Sequence, residues 1–297
     1  MKKLYEEASV QAIADAIRAK AGTADTYKIA DMPDAIASIP SGGGATEPYI
    51  EETYDSDGNL IYAKVNGYTK IRPHAFYSCP RLSLVGLPNE IVSIGFNAFA
   101  LCDDLALTSL PDGITSIEDT AFLMCLNLAL TSLPSHLTSI GSEAFYSCEK
   151  MTLNSLPSGI TNIGPNAFGS CIGITLTSLP DGITTIEDNT FNGCSNLALT
   201  SLPSHLKCIG FNAFYLCEKL AITSIPAGVT DIFGRAFYGC TGITELTFLG
   251  TPTGIEPDAF EGCKNLTTIN VPWAEGAVGN APWGAANATI NYNYTGG

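Results

Sequence analysis

From about residue 68 onward, apolar residues recur with neither the 3.6-residue period of an amphipathic helix nor the alternation of a long strand. They recur every 23 residues. Phe76, Phe99, Phe122, Phe145, Phe168, Phe191, Phe214, Phe237 and Phe260 keep that spacing. Cysteine follows each of them by three positions, from Cys79 to Cys263. An aliphatic residue stands eight positions before each of these cysteines (Ile71 to Ile255), and a large apolar one three after (Leu82 to Leu266). Alanine precedes the phenylalanine everywhere except at Thr190. Proline follows the cysteine by nine in most copies; after Cys240, Leu249 takes that place and the proline moves to Pro252. One copy has too few apolar residues to close a core, so the pattern predicts copies that stack and bury each other.

A longer period overlies the first. Leu105–Cys171 resembles Ile174–Cys240, displaced by 69 residues, so the array grew by copying blocks of three repeats. Terminal and central copies differ after the cysteine. In Ile243-Thr-Glu-Leu-Thr-Phe and Leu266-Thr-Thr-Ile-Asn-Val, strand alternation puts Leu246 with Phe248, and Ile269 with Val271, on one inward face. In the central copies the middle apolar residue has moved by one, to Leu107, Leu130, Leu153, Leu176, Leu199 and Ile222. A one-residue shift sends a side chain to the other face of a strand. Two outcomes stay open: a backbone bulge that keeps these residues inside, or an exposed apolar stripe serving as a ligand surface or a homo-oligomer contact.

The pattern I-x-x-x-(A)F-x-x-C-x-x-L with an I/L-P turn, over Tyr68 to Pro272, resembles the BspA-like leucine-rich repeat family. The resemblance implies an α/β-type solenoid of nine 23-residue repeats with short parallel strands on one side and irregular or briefly helical turns elsewhere. Nothing in the resemblance implies a catalytic site.

The ends depart from the repeat. Val10, Ile13 and Ile17 lie at helical spacing and predict an attachment helix ending near Gly22, followed by a second short helix capped by Asp31. Pro40-Ser-Gly-Gly-Gly-Ala reads as a flexible linker. Tyr49–Tyr54 and Leu60–Val65 flank Asp55-Ser-Asp-Gly-Asn and predict a hairpin that caps the first repeat. Trp273 and Trp283 are expected to cover the core of the last repeat, and Thr289–Tyr294 to pair as a closing strand. The chain thus divides into a helical attachment module (1–41), a linker (42–47), a capping hairpin (48–67), a solenoid (68–272) and a C-terminal cap (273–297). The segment from Val10 to Ile39, and the closing Val271-Pro-Trp to Ile290, resemble the ends of tail-associated proteins of phages and prophages of Gram-positive bacteria. That likeness implies a virion attachment module followed by an exposed solenoid.

Composition sharpens this picture. The 297 residues carry 14 Lys and Arg against 29 Asp and Glu, a net charge of −15, yet only 14% are charged. Serine, threonine and asparagine at the turns supply much of the polar surface. So acidic a chain argues against binding nucleic acid through its phosphates, and no apolar run is long enough to span a membrane. Met1-Lys-Lys is followed by Leu-Tyr-Glu-Glu rather than an apolar stretch, so no secretory signal peptide is expected.

Ten cysteines raise the question of disulfides or metal. Equivalent positions on stacked copies point in parallel, and no C-x-x-C pair occurs, so the nine lattice cysteines read as buried free thiols packing as small hydrophobes. Cys208, off the lattice, is the thiol expected to be accessible. His74, His136 and His205 form no nucleophile–histidine–acid order, no phosphate loop occurs, and no catalytic residue, metal or cofactor is assigned. The paired acids Glu118-Asp119 and Glu187-Asp188 read either as a weak cation site or, with no calcium-binding pattern beside them, as solvated turns.

Ligand candidates are therefore surface residues. Tyr77, Tyr146, Tyr215 and Tyr238 directly follow the lattice phenylalanine, where other copies carry Ala100, Leu123, Gly169, Asn192 and Glu261. Such variation marks an exposed position, and tyrosine offers a large contact area at low entropy cost. The alternative is that each packs along its own turn. Together the features point to a non-enzymatic binding protein. Its partners would be a host-surface protein or glycan and, through residues 1–41, phage structural proteins, with a virion or extracellular location. A bacterial surface adhesin of the BspA-like type and an intracellular assembly scaffold are the alternatives.

Overall fold

Isoleucine eight before each cysteine follows a small or β-branched residue, a pair suited to a short strand buried on one side. In the computed structural model, which describes residues 48–84 and 86–296, these pairs form parallel ladders 23 residues apart. Lys70–Ile71, Ser93–Ile94, Ser116–Ile117, Ser139–Ile140 and Asn162–Ile163 make one five-stranded sheet. Thr185–Ile186, Cys208–Ile209, Asp231–Ile232 and Gly254–Ile255 make a second, of four strands. Every isoleucine in these strands is buried, and the residue before it faces outward.

Between strand and cysteine the chain makes a zigzag of turns. Hydrogen bonds such as Ala213 N to Gly210 O (3.2 Å), Tyr215 N to Asn212 O (3.0 Å) and Cys217 N to Phe214 O (3.1 Å) close successive turns. Residues in the left-handed region recur four apart, as at Asn97 and Leu101, Glu143 and Ser147, or Asn212 and Leu216. A left-handed residue in each turn stops helix propagation. The briefly helical turns and the α component of the expected α/β-type fold are accordingly replaced by these turns, and no helix occurs among the described residues. The fold is a parallel-strand β-solenoid of the leucine-rich repeat type.

The core runs along the axis as columns of like residues. The nine lattice phenylalanines are fully buried and stack nearly parallel, with ring centroids 5.1 Å apart at Phe76–Phe99 and 5.7 Å at Phe191–Phe214. Beside them lies the cysteine column, all free thiols. Each thiol from Cys102 to Cys263 donates to the carbonyl of the phenylalanine in the preceding copy. Cys102 Sγ lies 2.9 Å from Phe76 O, Cys194 Sγ 3.0 Å from Phe168 O and Cys263 Sγ 3.0 Å from Phe237 O. The same carbonyls from Phe99 on also accept the N–H of their own cysteine, as in Cys171 N to Phe168 O at 3.0 Å. Burial raises the lattice thiol pKa values, to about 12 for Cys125 and Cys171.

The central copies resolve the displaced leucines. Leu107, Leu130, Leu153, Leu176, Leu199 and Ile222 are all buried, and Thr108, Thr131, Asn154, Thr177, Thr200 and Thr223 face solvent. No regular strand forms at these leucines. Single bonds such as Ala129 N to Leu107 O (3.0 Å) and Ala198 N to Leu176 O (3.1 Å) link successive copies. The backbone gives up its ladder because exposing a column of leucines would cost more than losing a few strand bonds. Only toward the C-terminus does a sheet appear on this side, from Ser224–Ile225, Glu245–Phe248, Thr268–Asn270 and Thr289–Asn291.

Both ends of the described array are covered. Strand β1 (Tyr49–Tyr54) pairs antiparallel with β2 (Leu60–Asn66), and β2 pairs parallel with Ser83–Leu84, burying Leu60, Ala63 and Val65 over the first copy. Asp55 holds the hairpin turn by accepting from Asp57 N at 2.9 Å and Asn59 N at 2.8 Å, and it pairs with Arg81. At the other end Trp273 and Trp283 are buried against Phe248, with centroids 5.3 and 6.0 Å away. Thr289–Asn291 pairs with Thr268–Asn270, as the alternation there predicts. The attachment helix of Val10, Ile13 and Ile17, the second helix and the linker 42–47 lie outside the described residues.

Two outcomes are expected. Phe168→Ala removes a ring stacked on both sides and leaves a cavity worth about 3–5 kcal/mol. Because each copy touches only its neighbours, the lesion should uncouple the two halves. Unfolding followed by tryptophan fluorescence, which reports Trp273 and Trp283 alone, should then part from unfolding followed by circular dichroism; coincident curves would refute this. Second, the lattice thiols stay protonated when folded at pH values where they ionise in the unfolded chain. Their folded pKa is raised, so their contribution to stability is complete below the unfolded value and is lost as pH climbs from about 9 toward about 12. Denaturation midpoints measured from pH 7 upward should be flat at first and then fall.

Candidate functional site

Among the described residues no group of three or more His, Cys, Asp and Glu side chains converges to hold a metal ion. The three histidines lie apart on exposed turns, with His74 edge-on to Phe96 at 5.2 Å. The candidate surfaces are therefore those that the turns and strands present outward.

The tyrosines do not act as one set. Tyr77 is exposed, while Tyr146, Tyr215 and Tyr238 are half-buried. Tyr215 and Tyr238, in adjacent copies, stack with centroids 4.8 Å apart and planes 10° from parallel. Tyr146 lies against Gly169 of the next copy, which has no side chain to obstruct it. Each thus packs along the turn face and keeps part of its surface in water, combining the two readings the sequence left open. The stripe of Leu107, Leu130, Leu153, Leu176, Leu199 and Ile222 is corrected: these side chains belong to the core and offer nothing to a ligand.

The acidic pairs have a structural task. Asp119 Oδ1 accepts Ser142 N at 2.8 Å, and Asp188 Oδ1 accepts Phe211 N at 2.7 Å, in each case from the following copy. Glu118 Oε2 reaches backward to Phe96 N at 2.8 Å. The aspartates fold over Gly141 and Gly210, where a Cβ would meet the backbone nitrogens of Asp119 and Asp188 at 2.5 and 2.7 Å. One oxygen of each aspartate is therefore committed to stapling neighbouring copies, and its second oxygen is left for other contacts.

Sequence reasoning missed the exposed aromatics beside these acids. Phe96 and Phe211 stand six before their cysteines, where other copies have Pro73, Asp119, Ser142, Pro165 or Gly234. They are 41% and 43% exposed, and Phe233, next along the strip, is 44% exposed. The Phe211 ring lies over Gly234, whose Cβ would sit 3.4 Å from it. The available signal was the lattice itself, since a large apolar residue at a position otherwise small or polar is as telling as the tyrosines. Phe96, Glu118 and Asp119 line a shallow cavity of about 300 Å³ together with Ser116, Ser139 and Asn162 on the outer side of the strand ladder.

Cys208 occupies the outward position of that ladder and is the half-buried thiol among ten. Burial, then the charges of Asp231, Glu187 and Asp188, raise its pKa above the ordinary 9.0. Iodoacetamide should therefore label one thiol of the folded chain, slowly at neutral pH and faster beyond pH 9. Cys208→Ser should abolish that labelling, and rapid modification of any lattice cysteine would contradict the packing described.

No curated protein matches the chain. Among solved structures, a leucine-rich repeat protein from Bacteroides ovatus is 23% identical with a TM-score of 0.53, over 75% of this chain and 66% of that one. That match spans less than two thirds of the Bacteroides protein, and the likeness is one of fold. The T. pallidum leucine-rich repeat protein is 28% identical over 58% of this chain and 87% of that one, with a TM-score of 0.45. The pneumococcal vaccine antigen PcpA is 19% identical over 82% and 72%, with a TM-score of 0.46. A model of the BspA type leucine rich repeat region matches residues 69–198 and 161–280, most of the described solenoid and more than half of the chain. The chain, with its stacked phenylalanines and buried cysteine column, belongs to the BspA-type leucine-rich repeat family.

Proposed function

We propose that this is a non-enzymatic binding protein whose solenoid engages a protein or glycan on a bacterial host surface. The observation that carries the reading is the contrast within the repeat. Inward positions are nearly uniform from copy to copy, whereas outward ones alternate among Tyr, Phe, Leu, Gly, Asn and Glu. A stacked core gives such side chains fixed spacing, so contacts made along several copies add without the entropy cost of ordering a flexible surface. The resemblance of residues 10–39 to phage tail-associated proteins supports a place on the virion, with Val10, Ile13 and Ile17 facing a phage structural protein.

The test has two arms. Purified particles should contain the chain by mass spectrometry, and the full chain should sediment saturably with intact host cells. Absence from particles together with presence at the cell surface would replace the virion assignment by a surface adhesin. No binding to host cells, with self-association retained, would overturn the recognition role in favour of a scaffold.

A further inference from the structure

The outer side of the strand ladder combines two features unusual for a surface without a partner. It exposes three phenylalanines, Phe96, Phe211 and Phe233. It also carries a run of negative charge: Glu118 and Asp119 beside Phe96, Glu187 and Asp188 beside Phe211. The five-residue segments that begin one residue before each ladder isoleucine, from Ser93 to Asn212, contain no lysine or arginine. The nearest basic groups are engaged elsewhere, with Arg235 3.3 Å from Asp258 and the Lys207 ammonium over Gly228.

We propose that this face docks a basic polypeptide, through lysine or arginine side chains whose stems lie along the phenylalanines and whose cationic heads meet the carboxylates. Charge complementarity selects this occupant. A second copy of the chain would bring the same acids opposite themselves, and a phosphate-bearing partner would be repelled. The apolar stem and charged head of lysine or arginine fit a phenyl ring with a carboxylate beside it, by packing and by cation–π attraction. Each aspartate is held by one oxygen to a neighbouring backbone N–H, so the second oxygen is fixed before the partner arrives and little ordering cost remains. Two such acid–aromatic pairs, 115 residues apart in sequence and five copies apart along the axis, would be engaged together by an extended basic segment. The inference rests on the proposed binding role and names the face and the partner chemistry.

The test uses the full chain and a fluorescein-labelled lysine–glycine peptide, followed by anisotropy. Glu118→Gln, Asp119→Asn, Glu187→Gln and Asp188→Asn together keep the oxygens that accept backbone N–H groups and remove the charge. They should weaken binding by about tenfold or more. Neutralising four acids off this face, Asp103, Asp104, Asp112 and Asp181, to Asn should cost less than about twofold. Phe96→Ser with Phe211→Ser should weaken binding by about threefold to fivefold. Equal losses from the two charge sets would mean diffuse attraction only and overturn the proposal, as would tighter binding to a neutral oligosaccharide than to the peptide. Thermal unfolding checks that each variant is folded. Unchanged attachment of the charge-neutralised face to host cells would refute this docking face and leave the host-surface role standing. A wild-type chain that binds the peptide but not host cells would do the reverse.

Discussion

The phenylalanine carbonyl is the point on which the solenoid turns. From Phe99 to Phe237 it accepts the N–H of the cysteine in its own copy and the thiol of the cysteine in the next. Both lone pairs of a fully buried acceptor are thereby used, which removes a desolvation penalty that would otherwise repeat with every copy. The thiol suits the site because it is small enough for the column and still carries a proton to donate. A serine would bury a more polar group, and an alanine would leave one lone pair unanswered. The bond also fixes register, since only a 23-residue repeat brings each thiol over the preceding ring.

That interlock explains why the surface can vary. With ring, thiol and isoleucine columns setting the spacing, the turn residues need satisfy only local rules: a left-handed conformation at two positions and a small residue where the next copy comes close. Glu118, Asp119, Glu187 and Asp188 bend even these rules, replacing a simple turn by a carboxylate staple to the adjoining copies. The same carboxylates stand beside exposed phenylalanines. Stability and recognition here share atoms, one oxygen turned inward to the scaffold and the other outward.

The net charge takes on a different meaning in this light. Across the whole chain, −15 reads as a contribution to solubility. Along the strand ladder it is concentrated beside apolar rings, and there it discriminates among partners. The caps matter for the same reason. The hairpin and the two tryptophans close the apolar ends, so the apolar surface left exposed on the ladder is a feature of the repeats themselves.

The 23-residue lattice was sufficient to fix the repeat, the buried columns, the free thiols and the capping roles of the hairpin, Trp273 and Trp283. These follow from periodicity and from the need to bury apolar groups, which a linear sequence records directly. Three matters lay beyond it. Whether Leu107 and its equivalents face in or out depended on the balance between strand bonds and leucine burial, and only the folded backbone settled it, in favour of burial. The turns showed no helix because left-handed residues recur within them, a conformation that Leu101, Met124 and Leu216 do not announce by their identity. And Phe96 meets Glu118, as Phe211 meets Asp188, only across neighbouring copies. Sequence sets each residue's place within its own repeat; which residue it faces in the next is decided by stacking, because that contact exists only once the copies are packed.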